Sequence, residues 1–381
     1  MPVTLSQTTQ AEASADIIDL ALGHPSPELL PLELLRDAAA GRLGQGDRSL
    51  LQYGYEQGDI RFRTRLARFL SRRYSAEVGP EALFVSGGVS QALDLVCSLF
   101  TRPGQRVLVE EPSYFLALRI FADHGLAVEG VPTDRQGLIP EALEERLRRG
   151  SWALLYTVPA HQNPTGTTLP EARRARVLDL CREHGVLLVA DEVYHLLSFT
   201  ADPPPAVGVR SPKGGALSLG SFSKILAPGL RLGWVQGPPD LLRRLASCGF
   251  LDSGGGLAPF TSAVVSGLLE QGSLDAHLDR LRGIYASRSR AMASSIEKRF
   301  GGAAETSLPR GGFFFWVRLK GAADAGQLLP LARAAGVTFV PGSRFSTRNA
   351  QKDCLRLSFS YYDEEHIAQG VARLAEAILG A

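Results

Sequence analysis

Short apolar runs alternate with amphipathic stretches along most of the chain after residue 81. The apolar runs have the length and composition of buried strands, and turn residues separate them from stretches with helical spacing. The clearest runs lie at 82–85, 106–109, 127–131, 152–157 and 186–190. Unbroken apolar strands between amphipathic helices predict a mostly parallel sheet covered on both faces, and ligands bind such sheets beyond the carboxyl ends of the strands.

The pattern is different at both ends of the chain. Residues 1–15 are polar and irregular and predict an arm, whereas 60–74 has an apolar helical face and an arginine-rich outer face. After residue 272, a long helix, a strand at 337–340, a strand at 354–359 and a final helix predict a smaller α/β unit. We therefore expect three parts, namely an N-terminal arm and segment packed on the small domain (1–45), a large domain (46–272) and a small C-terminal domain (273–381).

Composition and charge add few restrictions. A chain of 381 residues with 45% hydrophobic and 21% charged residues is an ordinary globular protein that exceeds one core. A net charge of +2 gives no reason to expect nucleic acid or an anionic membrane as a partner. The N-terminus has neither a basic start nor an apolar core, and no apolar run approaches membrane-spanning length. We expect a cytoplasmic protein.

Cysteine and histidine usage argues against disulfides and metal. Four cysteines, far apart and among apolar neighbours, predict small buried side chains in a reducing compartment. They are Cys97, Cys181, Cys248 and Cys354. The seven histidines show neither an HExxH motif nor another ligand spacing, so no metal site is expected.

The most informative stretch is residues 220–233, which follow a short apolar run and contain one lysine, Lys224. A lysine among apolar and small residues loses hydration, which lowers its pKa and frees the amine to attack a carbonyl carbon. Ser221 and Ser223 before it and Arg231 after it supply donors suited to a phosphate. A single lysine in such a place is usually a surface residue, so this interpretation depends on the rest of the chain.

Polar groups also stand where other predicted strands end. The glycine turn at 86–90 leads into a helix and offers backbone N–H groups to an anion, although such turns are common. Tyr114 can lay its ring on a planar ligand, although an aromatic residue that opens a helix usually serves packing. Asn163 precedes a proline and is therefore held extended, so that its amide either hydrogen-bonds a ligand or simply completes a turn.

Two charged residues stand in apolar strands. Asp191 ends a strand that has no polar residue in the five positions before it, and a buried carboxylate there needs a cationic partner. Tyr194, three residues later, can reach the same place. Arg356 lies in the strand at 354–359, where it either points outward to solvent or points inward and binds a carboxylate through both nitrogens.

Taken together, these motifs resemble the class I and II aminotransferases, which are fold-type-I enzymes that use pyridoxal 5′-phosphate (PLP). The motifs that carry the resemblance are Asn163-Pro164-xx-Gly166, Asp191-xx-Tyr194, Ser221-x-Ser223-Lys224 with Arg231, and Arg356. The resemblance extends from Gly23 to the final helix, and residues 221–233 are most similar to the branch of the 2-aminoadipate and aromatic aminotransferases. It implies an α/β fold with a large PLP-binding domain around a mostly parallel sheet and a smaller α/β C-terminal domain.

The resemblance implies a role for each matched residue. Lys224 forms the internal aldimine with PLP and moves a proton between Cα and C4′, and Asp191 pairs with the pyridine nitrogen. Asn163 and Tyr194 hydrogen-bond the 3′-oxygen, while Tyr114 stacks on the ring. The implied phosphate ligands are Val89, Ser90, Ser221, Ser223 and Arg231, together with Tyr53 from a neighbouring subunit. Arg356, with Asn163 and the backbone at Gly23, holds the substrate, so a homodimer with shared sites is implied.

The expected reaction moves an amino group from an α-amino acid to a 2-oxo acid, with 2-oxoglutarate as the expected acceptor. A PLP-dependent lyase or cyclase keeps the same cofactor residues and stays an alternative. A regulatory ligand-binding module is a further alternative, although no basic helix-turn-helix segment precedes Ile17 in this sequence. The glycine-rich residues 253–256 and His161 depart from the family's usual pattern, so the donor's side chain is not predicted and His161 has no assigned role.

Overall fold

An eight-stranded sheet forms the centre of the computed structural model, which describes residues 16–200, 203–211, 214–321 and 324–380. The predicted arm at 1–15 lies outside the described residues. The strands are β1 (Ile18–Asp19), β2 (Leu83–Ser86), β3 (Arg106–Glu111), β4 (Ala127–Asp134), β5 (Gly137–Leu138), β6 (Leu154–Thr157), β7 (Leu187–Asp191), β8 (Ala216–Ser221), β9 (Gly233–Gln236), β10 (Ala304–Glu305), β11 (Phe314–Leu319), β12 (Val337–Thr338), β13 (Val340–Pro341) and β14 (Cys354–Ser358).

Helices cover this sheet and its connections. They are α1 (Leu32–Leu43), α2 (Ile60–Tyr74), α3 (Val89–Phe100), α4 (Phe115–Asp123), α5 (Pro140–Arg148), α6 (Glu171–Glu183), α7 (Pro239–Ala246), α8 (Gly249–Gly254), α9 (Pro259–Gln271), α10 (Ser273–Phe300), α11 (Ala325–Ala334) and α12 (Glu364–Leu379). None of the helices in the described residues combines the length and the apolar character needed to cross a membrane.

The large sheet has the order β2-β9-β8-β7-β6-β3-β4-β5. The pairs from β8 through β7, β6 and β3 to β4 are parallel, whereas β9 runs antiparallel between β8 and β2, and β5 returns antiparallel to β4. The predicted mostly parallel sheet is therefore confirmed. Because parallel strands share a direction, the carboxyl ends of β3, β6, β7 and β8 meet at one edge of the sheet.

The helix α2 shows how the sequence specifies these elements. The carboxylate of Asp59 accepts hydrogen bonds from the first backbone N–H groups of the helix, which begins at the next residue. Its apolar side, including Phe62 and Leu66, is buried, and Ser75 ends it in a left-handed conformation. The arginines of its outer side include Arg73, which forms an ion pair of 2.7 Å with Asp275 of α10. Arginine on this face therefore joins two helices.

The C-terminal part of the chain builds a second sheet with the order β10-β11-β14-β13, and α10 and α12 pack against each other beside it. The predicted single strand at 337–340 is wrong, because β12 pairs with β1 and β13 pairs with β14. The expected burial of all four cysteines is also wrong for Cys248, which directly precedes α8 and is only partly buried. All four cysteines are free.

Candidate active site

Lys224 follows the carboxyl end of β8, in the loop that leads to β9. Its Nζ donates a hydrogen bond to the carbonyl oxygen of Gly23 at 2.7 Å and lies 5.8 Å from the centre of the Phe313 ring. Burial lowers the pKa of Lys224 to about 8, repulsion by Arg356 contributes to this decrease, and attraction by Asp191 opposes it. The amine is thus closer to its neutral, nucleophilic form than an exposed lysine is.

Asp191 ends β7 beside this loop and is 3% exposed. Its Oδ2 accepts a hydrogen bond from the hydroxyl of Tyr156 at 2.7 Å, and its Oδ1 accepts one from the backbone N–H of Val193 at 3.2 Å. Burial raises its pKa to about 6, and the two donors and Lys224 partly offset this rise. In the described part of the chain no cationic nitrogen pairs with it directly, so its environment favours a cationic group of a ligand.

Tyr156 gives no sign of a site residue in the sequence, where it is one member of an apolar strand. In the sheet, Tyr156 of β6 lies opposite Val189 of β7, and its ring is completely buried. This register brings its hydroxyl to the carboxylate two residues further along β7. The proximity of Tyr156 to Asp191 therefore becomes evident only from the pairing of β6 with β7.

Arg356 on β14 points inward and is 4% exposed, so the outward-pointing alternative is wrong. Its Nη1 donates to Oδ1 of Asn163 at 3.0 Å, and its Nη2 donates to the carbonyl oxygen of Ala21 at 2.7 Å. The guanidinium carbon lies 4.1 Å from the centre of the Phe314 ring, and its Nε has no partner among the described residues. Burial lowers the pKa of Arg356 to about 10, which still leaves it charged at neutral pH.

Two tyrosines lie near both Asp191 and Arg356. Tyr194 is buried and packs edge-on against Phe313 and Phe314. Tyr114 immediately precedes α4 and is half-buried. Burial raises the pKa of Tyr114 to about 12 and that of Tyr194 well above its ordinary value, and the charge of Asp191 adds to both effects. Both hydroxyls are therefore protonated donors at neutral pH.

An anion-binding arrangement lies where the Lys224 loop meets the start of α3. Arg231 donates to the carbonyl oxygen of Gly87 at 3.0 Å and to the hydroxyl of Ser223 at 3.5 Å, while Ser221 donates to Ser223 at 2.9 Å. Gly88 precedes Val89 and Ser90 with a φ of 95°, and a Cβ there would lie 3.1 Å from Arg231. Among the described residues no side chain caps α3, so its first N–H groups are available to an anion beside a guanidinium and two hydroxyls.

Three positions lie apart from this cluster. Tyr53 is 82% exposed, in a loop where Gly256 N–H donates to the carbonyl oxygen of Gly54 at 2.8 Å. The glycine-rich residues 253–256 thus pair with the Tyr53 loop. His161 is buried against Gly311, and burial lowers its pKa to about 3, so it is a neutral packing residue.

The remaining predicted residues converge at one edge of the sheet. They match the parts of a planar phosphorylated ligand one by one. The cradle of Arg231 and two serine hydroxyls suits a phosphate, the buried carboxylate of Asp191 suits a protonated ring nitrogen, and Lys224, with its lowered pKa, suits a carbonyl carbon. The donor set and the unpartnered Nε of Arg356 therefore fit a phosphorylated pyridine aldehyde together with a carboxylate-bearing substrate.

Comparisons with known proteins agree with this chemistry. The family model "Aminotransferase class I and II" matches residues 15–374. The chain is 33% identical over 374 residues to an aromatic-amino-acid aminotransferase of Thermococcus litoralis, covering 96% of this chain and 88% of the relative. It is also 33% identical to a 2-aminoadipate transaminase of Thermus thermophilus, covering 99% and 94%. A kynurenine aminotransferase of Pyrococcus horikoshii, solved in complex with PMP, superposes with a TM-score of 0.90 at 33% identity, covering 97% and 95%.

Proposed function

Because the chain belongs to the class I and II aminotransferases, which depend on PLP, we propose that it moves an amino group from an α-amino acid to 2-oxoglutarate. The observation that carries the proposal is the convergence of Lys224, Asp191 and Arg356 at one sheet edge. An amine, a buried carboxylate and a guanidinium are the three groups that an amino acid bound to a pyridine cofactor needs. Bound PLP supplies an electron sink for the carbanion formed at the substrate Cα.

We assign the cofactor to residues at the ends of five strands, β2, β3, β6, β7 and β8. Lys224 attaches it covalently, Asp191 keeps its ring nitrogen protonated, and Tyr114 covers one ring face. Asn163 and Tyr194 donate to its 3′-oxygen. The residues proposed for its phosphate are Val89, Ser90, Ser221, Ser223 and Arg231. The hydrogen bonds that already join Arg231 to Ser223 and Gly87 support this assignment, because they hold the cradle in one geometry.

The substrate's α-carboxylate is assigned to Arg356. Two of its nitrogens are hydrogen-bonded to Asn163 and Ala21, so the plane of the guanidinium is fixed. The remaining N–H donors are therefore oriented before the substrate binds. The Cα proton is assigned to Lys224, since an amine with a pKa of about 8 accepts and returns a proton near neutral pH. Aromatic side chains around these groups exclude water from the reacting atoms.

The preference for 2-oxoglutarate rests on Arg344. Its guanidinium carbon lies 4.6 Å from the centre of the Phe115 ring, and that ring packs on Phe345, which lies beside Arg356. Arg344 is exposed, its partial desolvation lowers its pKa, and no carboxylate in the described part of the chain pairs with it. A second guanidinium near the α-carboxylate site suits the distal carboxylate of a dicarboxylic substrate.

We also propose a homodimer in which Tyr53 reaches the neighbouring site. Leu51, Tyr53, Tyr55 and Phe250 are 76%, 82%, 68% and 63% exposed, around the bridge that joins Gly54 to Gly256. Several large apolar side chains exposed together mark an interaction surface, and a tyrosine among them offers a hydroxyl to a partner's phosphate.

The test is a half-reaction screen with the PLP-loaded protein. Amino acids are added one at a time, and the visible absorption of the bound cofactor should change only for those that are substrates. The Lys224→Ala variant should lose covalent attachment, which borohydride reduction followed by mass measurement detects, and should react at least about 10²-fold more slowly. The exposed Lys298→Ala variant is the control and should behave as wild type. Covalent attachment that survives in Lys224→Ala would refute the assignment, and ammonia release without oxo-acid exchange would indicate a lyase.

A further inference from the structure

We propose that Tyr156 is a positioning residue, which holds Asp191 ionised and correctly oriented for the cofactor's ring nitrogen. This inference rests on the proposed function, because it needs Asp191 to face that nitrogen. Tyr156 donates to Oδ2 of Asp191 at 2.7 Å, which is a short hydrogen bond between a neutral hydroxyl and a carboxylate. It is the shorter of the two hydrogen bonds that Asp191 accepts within the described residues.

The hydroxyl of Tyr156 bonds to Asp191 and to no other group in the described part of the chain. The ring is completely buried and packs edge-on against Phe121 of α4, with ring centres 5.7 Å apart. Burial and the neighbouring charge of Asp191 raise the pKa of Tyr156 well above its ordinary value, so it stays a donor at and below neutral pH. A donor fixed by packing restricts the carboxylate to one orientation without adding a second charge.

The need for such a donor follows from the groups that face Asp191. They are Glu110 of β3, Glu192 after β7, Tyr114, Tyr194, Tyr156 of β6 and Lys224 after β8. Glu110 is itself a buried carboxylate that accepts hydrogen bonds from Thr157, Val158 and Gln162. Burial disfavours the charged form of Asp191, so Asp191 is driven toward its protonated form unless neutral donors stabilise its charge. Protonated Asp191 cannot hold a protonated pyridine nitrogen.

Tyr156→Phe removes the donor and leaves the ring in place. We expect this variant to bind pyridoxamine 5′-phosphate about tenfold or more weakly at neutral pH, because the lost hydrogen bond is to a charged group. The pKa of Asp191 should rise, so affinity should begin to fall at a higher pH than in the wild type as the solution is acidified. Pyridoxamine 5′-phosphate is the probe because its amine cannot join Lys224 covalently, and equilibrium dialysis measures binding without catalysis.

Tyr74→Phe is the matched control, since Tyr74 is also buried but lies on α2, against His195. Each variant removes one hydroxyl and leaves its buried ring in place, but only Tyr156→Phe should shift the pH profile of binding. In an Asp191→Asn background, Tyr156→Phe should change affinity less than about twofold, because its effect passes through the carboxylate.

The outcomes separate the two proposals. A wild type that binds no pyridoxamine 5′-phosphate refutes the proposed function and this inference together. Wild-type binding that weakens in Asp191→Asn but not in Tyr156→Phe overturns this inference alone. The inference also fails if Tyr156→Phe weakens binding equally at every pH, or if its effect persists undiminished in the Asp191→Asn background, because Tyr156 would then act as ordinary core packing.

Discussion

Replacing Arg356 by lysine tests how the site binds a carboxylate. Arg356 already donates to Asn163 at 3.0 Å and to Ala21 at 2.7 Å, and its planar fork leaves further N–H groups for a substrate. A lysine ammonium keeps the charge but has three donors around one nitrogen, so it cannot serve these two acceptors and bind a carboxylate at two points. We expect the loss of one to two charge-assisted hydrogen bonds, about 3 kcal/mol, or roughly 150-fold in kcat/KM.

The assay is the single-turnover half-reaction of the PLP-loaded variant with increasing concentrations of the best amino acid donor. Arg318→Lys is the control, because Arg318 lies on the neighbouring strand β11, exposed and 3.3 Å from Asp353, and should leave the rate unchanged. A simple alkylamine without a carboxylate should react equally poorly with wild type and Arg356→Lys. The reasoning is refuted if Arg356→Lys keeps its cofactor and stays within about threefold of the wild-type kcat/KM.

Three further predictions concern other parts of the chain. Arg344→Gln should raise KM for 2-oxoglutarate several-fold and leave KM for pyruvate unchanged; equal effects on both acceptors in steady-state assays would remove the role proposed for Arg344. Burial lowers the pKa of His161 to about 3 from an ordinary 6.5, so stability contributed by its neutral form is lost as pH falls below 6.5. Between about pH 6.5 and 4.5 the free energy of unfolding should therefore fall by about 2 kcal/mol less in His161→Asn than in the wild type. Urea titrations measure this, and equal decreases in the two proteins would contradict the prediction. Sedimentation equilibrium should give twice the chain mass of 41.0 kDa, and a monomer that still binds PLP tightly would exclude the shared site.

Much of the fold can be predicted because local and tertiary requirements coincide. The helix predicted at 60–74 has these bounds in the structure, since Asp59 caps one end and the apolar spacing continues to Tyr74. The split at 337–341 cannot be predicted from the sequence, because it depends on which partners the two halves find, namely β1 and β14. The proposed domain boundaries at 45 and 272 stay a prediction.

Some residues of the candidate site can be identified from the sequence and others cannot. Lys224, Asp191 and Arg356 stand out because each is a charge in an apolar or small-residue context, and charges there need a reason. Tyr156 gives no such signal, since a tyrosine is an ordinary strand residue whose contacts depend on the register between β6 and β7. The roles assigned to the site residues remain predictions, although the structure brings Lys224, Asp191 and Arg356 together and leaves Tyr53 exposed and apart from them.

The charges of the site are compensated better by the proposed ligands than by the protein itself. Within the described residues, Asp191 has only neutral donors, Lys224 has a carbonyl oxygen as its partner, and Arg356 keeps an unpartnered Nε. Burial lowers the pKa values of Lys224 and Arg356 and raises that of Asp191, so each charge is costly where it stands. A ligand that brings a protonated ring nitrogen to Asp191 and a carboxylate to Arg356 offsets two of these costs at once. Two such contacts would also fix which way the ligand lies, so the electrostatics that we propose for binding a substrate would also orient its Cα toward Lys224.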